Sequence, residues 1–142
     1  MEIHFSFQKA IRLPNRIALK KFIQKLFDQE KIEVQTINYI FCSDEYLLRL
    51  NIEHLNHNYF TDIITFDLSA SKKAPKIGEV YISVDTVCQN AQRFFTTNQN
   101  ELHRVIFHGA LHLCGYKDKT PKEKILMKNK EEKYLSLYFN VQ

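Results

Sequence analysis

The segment His108-Gly109-Ala110-Leu111-His112-Leu113-Cys114-Gly115-Tyr116-Lys117-Asp118 carries the chemistry of this chain. Its two histidines stand at i and i+4. On a helix that spacing puts both imidazoles on one face, within reach of a single ion. Gly115 has no Cβ and tolerates positive φ, so the chain can end a helix there and double back. Asp118 follows three residues later, and its carboxylate can swing toward the same point. Two imidazoles, one carboxylate and an open fourth position suit a catalytic zinc ion, which activates water and acts as a Lewis acid. A histidine pair at this spacing is commonly incidental. The glycine turn and the downstream carboxylate lift it above that. Directly after the first histidine stands Gly109. Metalloproteases of the HExxH kind carry their general base there, so that route to peptide hydrolysis is missing its base.

Working outward, Asn98-x-x-Glu101 has capping-box spacing and introduces a helix through Leu102, Val105, Ile106, Leu111 and Leu113, with Gly115 as its stop. Thr120-Pro121-Lys122-Glu123 is a second start: a cap, a proline in the first turn and a capping-box glutamate. That last helix is expected to reach about Tyr138. Toward the N-terminus, Ile3, Phe5 and Phe7 alternate with polar residues and read as a strand. Ile17, Phe22, Ile23, Leu26 and Phe27 recur at helical spacing through Asp28. Val34 to Phe41 is rich in β-branched and aromatic residues, a second strand. Ser43 can cap a helix with Asp44 and Glu45 in its first turn. Ile63, Ile64 and Phe66 form a third strand, Ser69 to Lys76 a basic turn region, and Val80-Tyr81-Ile82 a fourth strand. A further helix should run from about Asp85 to Phe95. The expectation is one α+β domain over residues 1–142. It has about four strands in a mixed sheet, about five helices and a zincin-like metal-binding helix.

Composition narrows the function. The chain has 142 residues, enough for one self-sufficient core. It holds three glycines where average usage gives about ten. Walker loops and dinucleotide fingerprints need closely spaced glycines, so neither can be built. The formal net charge is +4, which permits a polyanionic partner without requiring one. No run of eighteen apolar residues could span a membrane, and the N-terminal residues lack signal-peptide character. The three cysteines, Cys42, Cys88 and Cys114, form no CxxC pair and read as free thiols of a reducing cytoplasm.

The segment resembles the signature H-G-x-L-H-L-x-G-Y-D-H of the YbeY family of bacterial rRNA-maturation endoribonucleases. His108-Gly109, Leu111-His112-Leu113 and Gly115-Tyr116 match it in register. Leu50-Asn51 followed by Thr61-Asp62-Ile63-Ile64-Thr65-Phe66 is similar to a second family block. Gly78-Glu79-Val80-Tyr81-Ile82-Ser83 is similar to a third. The three stand in family order. The resemblance implies a zinc-dependent domain with one ion, acting on single-stranded RNA in 16S rRNA 3′-end maturation and ribosome quality control. It further implies a cytoplasmic protein whose partners are ribosomal RNA, the ribosome and a ribosomal protein.

Two departures from the family pattern shape the expectations. In the family a third histidine holds the metal, and that position is Asp118 here. His108 and His112 carry over by match, and Asp118 is proposed as third ligand by its chemistry. A carboxylate there lowers the charge of the site by one and predicts a weaker Lewis acid. A family arginine thought to contact the phosphodiester falls at Leu55, with Asn56 in the following glycine position. Lys117, Arg49 and Arg104 are the basic residues considered as its substitutes, and Lys117 is the sole side-chain catalytic candidate. Asn51, Asp62 and Arg104 are the substrate-binding candidates. His54 and His57 could touch RNA, although loop histidines need no role, and His103 lies off the ligand face. The lysines of the last helix read as a solvated face, and Phe94 and Phe95 as core. Two rivals stand beside the nuclease. One is a non-catalytic rRNA-binding assembly factor, the other a metal-dependent hydrolase of another substrate.

Overall fold

Period-two strands and period-3.6 helices alternate along the chain, and the computed structural model, which describes residues 1–140, shows how they pack. Elements follow as β1 (Glu2–Phe7), α1 (Arg16–Gln29), β2 (Val34–Cys42), α2 (Asp44–Leu55), β3 (Ile63–Asp67), β4 (Lys76–Ser83), α3 (Val84–Arg93), α4 (Asn98–Leu113) and α5 (Pro121–Asn140). The four strands form one mixed sheet in the order β1-β2-β4-β3. β1 and β4 run parallel to β2, and β3 runs antiparallel to β4 at the edge.

Alternation decides which face each side chain takes. Ile37, Tyr39 and Phe41 of β2 and Val80 and Ile82 of β4 point to one face. There they join Leu19, Ile23, Leu26 and Phe27 of α1 and the buried stripe of α4 in the main core. On the opposite face Ile64, Phe66 and Tyr81 pack with Leu47 and Leu50 of α2 in a smaller cluster. α4 is buried along most of its length. Gly109 is what lets it lie so close to the sheet. A Cβ there would stand 2.8 Å from Val80 Cγ1 and 3.0 Å from Ile63 Cδ1.

Local signals place most boundaries. The Ser43 hydroxyl accepts from the Tyr46 amide and caps α2. Thr120 and Glu123 form the reciprocal capping box of α5: Thr120 Oγ1 accepts from the Glu123 amide, and Glu123 Oε1 from the Thr120 amide. Two expectations need correction. The cap of α4 is Thr97, whose hydroxyl accepts from the Asn100 amide, and Asn98 is already helical. Glu101 therefore closes no capping box; it is 2% exposed and bonds to Arg104. Phe94 and Phe95 are not core. α3 ends at Arg93, and they stand 57% and 97% exposed.

Candidate metal centre

His108 and His112 project from the same face of α4, with ring centroids 4.5 Å apart. The helix then ends in a tight reversal. Gly115 takes φ +104°, its amide donates to the His112 carbonyl, and the Tyr116 amide donates to the Leu111 carbonyl. This paired closure needs a left-handed residue after the cap. It turns the chain back, so that Asp118 Oδ2 lies 3.3 Å from both His108 Nε2 and His112 Nε2. One donor atom from each of the three residues falls within 4.8 Å of the others. That is the spacing of atoms sharing one ion.

The far side of each ring is also occupied. His112 Nδ1 donates to the Tyr116 carbonyl at 2.9 Å. His108 Nδ1 lies 2.5 Å from Glu131 Oε2 on α5. With Nδ1 committed to donation, Nε2 presents its lone pair to the shared point, as metal-binding imidazoles require. The donor set therefore fits a divalent ion. Glu131 in turn accepts from Arg104 Nη1 at 2.9 Å. Arg104 meets Glu101 with Nε at 2.8 Å and Nη2 at 2.5 Å, a two-pronged contact. The Asp62 carboxylate lies 3.7 Å from the same Nη2.

Charge follows from this wiring. Burial would raise the Glu131 carboxyl, but the His108 hydrogen bond and the Arg104 charge hold it below the usual carboxylate value. For Asp62 burial wins, and its carboxyl is raised although Arg104 and His108 oppose the shift. Burial works against the Arg104 guanidinium, yet Glu101 and Glu131 hold its pKa above the ordinary value. Arg104 is thus a permanent cation already clamped by carboxylates.

A cleft opens over the ligands between the end of α2, β3 and α4. Asn51, Leu55, His57, Asp62 and Lys119 line it together with His108, His112 and Asp118. Asn51 is buried and its amide donates to the Tyr59 carbonyl at 2.9 Å, which ties down the loop after α2. Leu55 lies in the cleft where the family pattern has arginine. Lys117 is exposed, and Lys119 is the lysine that lines the cleft. Arg104 lines the groove on the other side of His108. His57 stacks on Tyr59, whose hydroxyl lies 3.0 Å from its Nδ1. His54 packs edge-on against Phe66, and His103 is buried against Tyr138 with Nδ1 on the Gln99 carbonyl.

Sequence reasoning passed over Glu131, Glu101 and Lys119. Glu131 was hidden among the charges of the last helix. Its signal was the stripe Met127, Glu131, Tyr134, Leu135 and Tyr138, which places a lone carboxylate on the buried face of α5.

Comparison with known proteins supplies the family. Residues 5–138 match the family model described as Endoribonuclease YbeY. A Cytophaga hutchinsonii protein named Endoribonuclease YbeY is 49% identical over 126 residues, covering 89% of this chain and 87% of that protein. A Flavobacterium johnsoniae protein of the same name is 38% identical over 136 residues, covering 96% of each. Among solved structures, a Thermotoga maritima protein with a solution structure superposes with a TM-score of 0.64. It has 27% identity, and the match covers 99% of this chain and 90% of that one.

Proposed function

Since the chain belongs to the YbeY family of endoribonucleases, we propose that it is a zinc-dependent enzyme that cuts single-stranded ribosomal RNA. Its role would be 16S rRNA 3′-end maturation and ribosome quality control in the cytoplasm, beside the ribosome and a ribosomal protein. The observation that carries this reading is the convergence of His108 Nε2, His112 Nε2 and Asp118 Oδ2 at the floor of a cleft.

Those three residues would hold the ion. When bound, the ion supplies Lewis-acid polarisation of the phosphodiester and activation of water. The chain's own residues do the rest. Glu131 and the Tyr116 carbonyl hold the two imidazoles in the tautomer that offers Nε2. Asp118 adds the third donor and lowers the charge of the site by one relative to three imidazoles. Lys119 at the cleft brings a cation to the phosphate backbone, a contact whose strength falls with salt. Arg104 orients Glu131 and so acts on the site from behind.

A second reading, a non-catalytic binder of ribosomal RNA, draws support from Leu55 in the cleft and from the engagement of Arg104 with carboxylates. One experiment separates them. Metal content is measured on wild type and Asp118→Ala, and each is assayed on a ribosomal RNA 3′-end precursor. We expect zinc and cleavage in wild type and the loss of both in the variant. Bound zinc without cleavage at any pH would leave the binder. Full zinc occupancy in Asp118→Ala would remove Asp118 from the ligand set.

A further inference from the structure

A second groove adjoins the cleft at His108 and Asp118, which line both. It runs between the C-terminal end of α3, α4 and α5, encloses about 670 Å³, and shares His108 and Asp118 with the ligand set. The cluster therefore stands at the junction of two channels. A phosphodiester held there has room for chain on both sides.

The second groove has the chemistry of a nucleotide site. Phe94 lines it and is 57% exposed. Its neighbour Phe95 is 97% exposed and adopts φ +55°, a left-handed conformation that is unfavourable for a bulky L residue. Two solvent-facing aromatic rings on such a turn are not explained by packing. Lys124 and Lys128, one helical turn apart on α5, line the same groove and are exposed. Glu132 is the rim carboxylate, while Glu101 and Glu131 on the floor are already paired with Arg104. Aromatic rings that take base faces, beside cations that follow the backbone, are how proteins hold single strands without reading sequence.

We propose that this groove is a nucleotide subsite for single-stranded RNA: Phe94 stacks on the base next to the scissile position, and Lys124 and Lys128 contact the adjoining phosphates. The strand then threads from the α2–β3 cleft across the metal cluster and out along α5. The inference rests on the endoribonuclease reading, and the experiment keeps the two apart.

The chain contains no tryptophan, so Phe94→Trp places a single reporter in the groove. Short oligoadenylate is titrated into the zinc-loaded full-length protein, with Ile17→Trp on α1 as the remote control. Emission of the Phe94→Trp protein should be quenched on binding while that of the control stays unchanged. Phe94→Ala should weaken RNA binding about tenfold at unchanged zinc content. Lys124→Ala/Lys128→Ala should flatten the dependence of log affinity on log salt by about 1–2. Suppose wild type binds and cleaves RNA, the reporter emission does not move and Phe94→Ala binds like wild type. The subsite is then overturned and the enzyme reading stands. A wild type that neither binds nor cleaves RNA overturns both.

Discussion

Glu131 Oε2 sits 2.5 Å from His108 Nδ1, so a carboxylate on α5 fixes the ring that α4 presents to the His112–Asp118 cluster. Behind it, Arg104 joins Glu131 to Glu101. The result is a chain of contacts from Glu101 through Arg104 and Glu131 to His108, with both carboxylates buried.

The first prediction concerns this chain of contacts. Partners of ligand histidines typically account for about 10–100-fold in metal affinity. Glu131→Gln should weaken zinc binding about tenfold and Glu131→Ala about a hundredfold, as read by competition with a chromophoric chelator. Unchanged affinity in both variants would show that the α4 turn alone orients His108.

Gly109→Ala tests the contact between helix and sheet. The added methyl meets Val80 Cγ1 and Ile63 Cδ1 at 3.0 Å or less. Overpacking of this kind costs about 1–3 kcal/mol, partly offset by about 1 kcal/mol of helix propensity. A net loss of up to about 2 kcal/mol is expected in urea unfolding. A variant about 1 kcal/mol more stable than wild type would mean that α4 can lift from β3 and β4 without cost.

Glu30 supplies the pH test. Burial would raise its carboxyl, but hydrogen bonds from Tyr116 and Tyr134 and the charge of Lys130 hold it below the usual carboxylate value. A carboxyl lowered in the folded state contributes stability above its unfolded pKa and loses it as pH falls through the folded value. Glu30→Gln should therefore cost about 1–3 kcal/mol at neutral pH. The gap to wild type should close as pH falls below the ordinary carboxylate range. A gap that persists in acid would point to packing instead of charge.

Phe95 supplies a test of backbone strain, since it holds φ +55°. Glycine removes the penalty of the left-handed conformation, about 1–2 kcal/mol, at a backbone-entropy cost of about 0.5–1 kcal/mol. Phe95→Gly should thus gain up to about 1.5 kcal/mol in thermal unfolding. Unchanged or lower stability would show that the turn holds Phe95 without strain.

The parts of this molecule that were legible in the sequence are those set by local periodicity. Ile3, Phe5 and Phe7 announced β1, Ser43 announced α2, and Thr120 with Glu123 announced α5, because each signal acts within one turn or one strand. The turn at Gly115 was legible for the same reason. What could not be read was pairing at a distance. Glu131 lies 23 residues from His108, and only the docking of α5 on α4 makes it a partner. Glu101 misled because N-x-x-E describes a local cap equally well, and a cap at Thr97 displaced it. Phe94 and Phe95 read as core because they stand at a helix end, but α3 stops at Arg93 and leaves both exposed.

The position of α5 in the chain has a consequence in time. His108, His112 and Asp118 all precede Glu131 in the order of synthesis. A growing chain that has made all three proposed ligands still lacks the group that orients the first of them. The proposed centre is completed only when α5 has emerged and docked, so its arming coincides with the last step of folding.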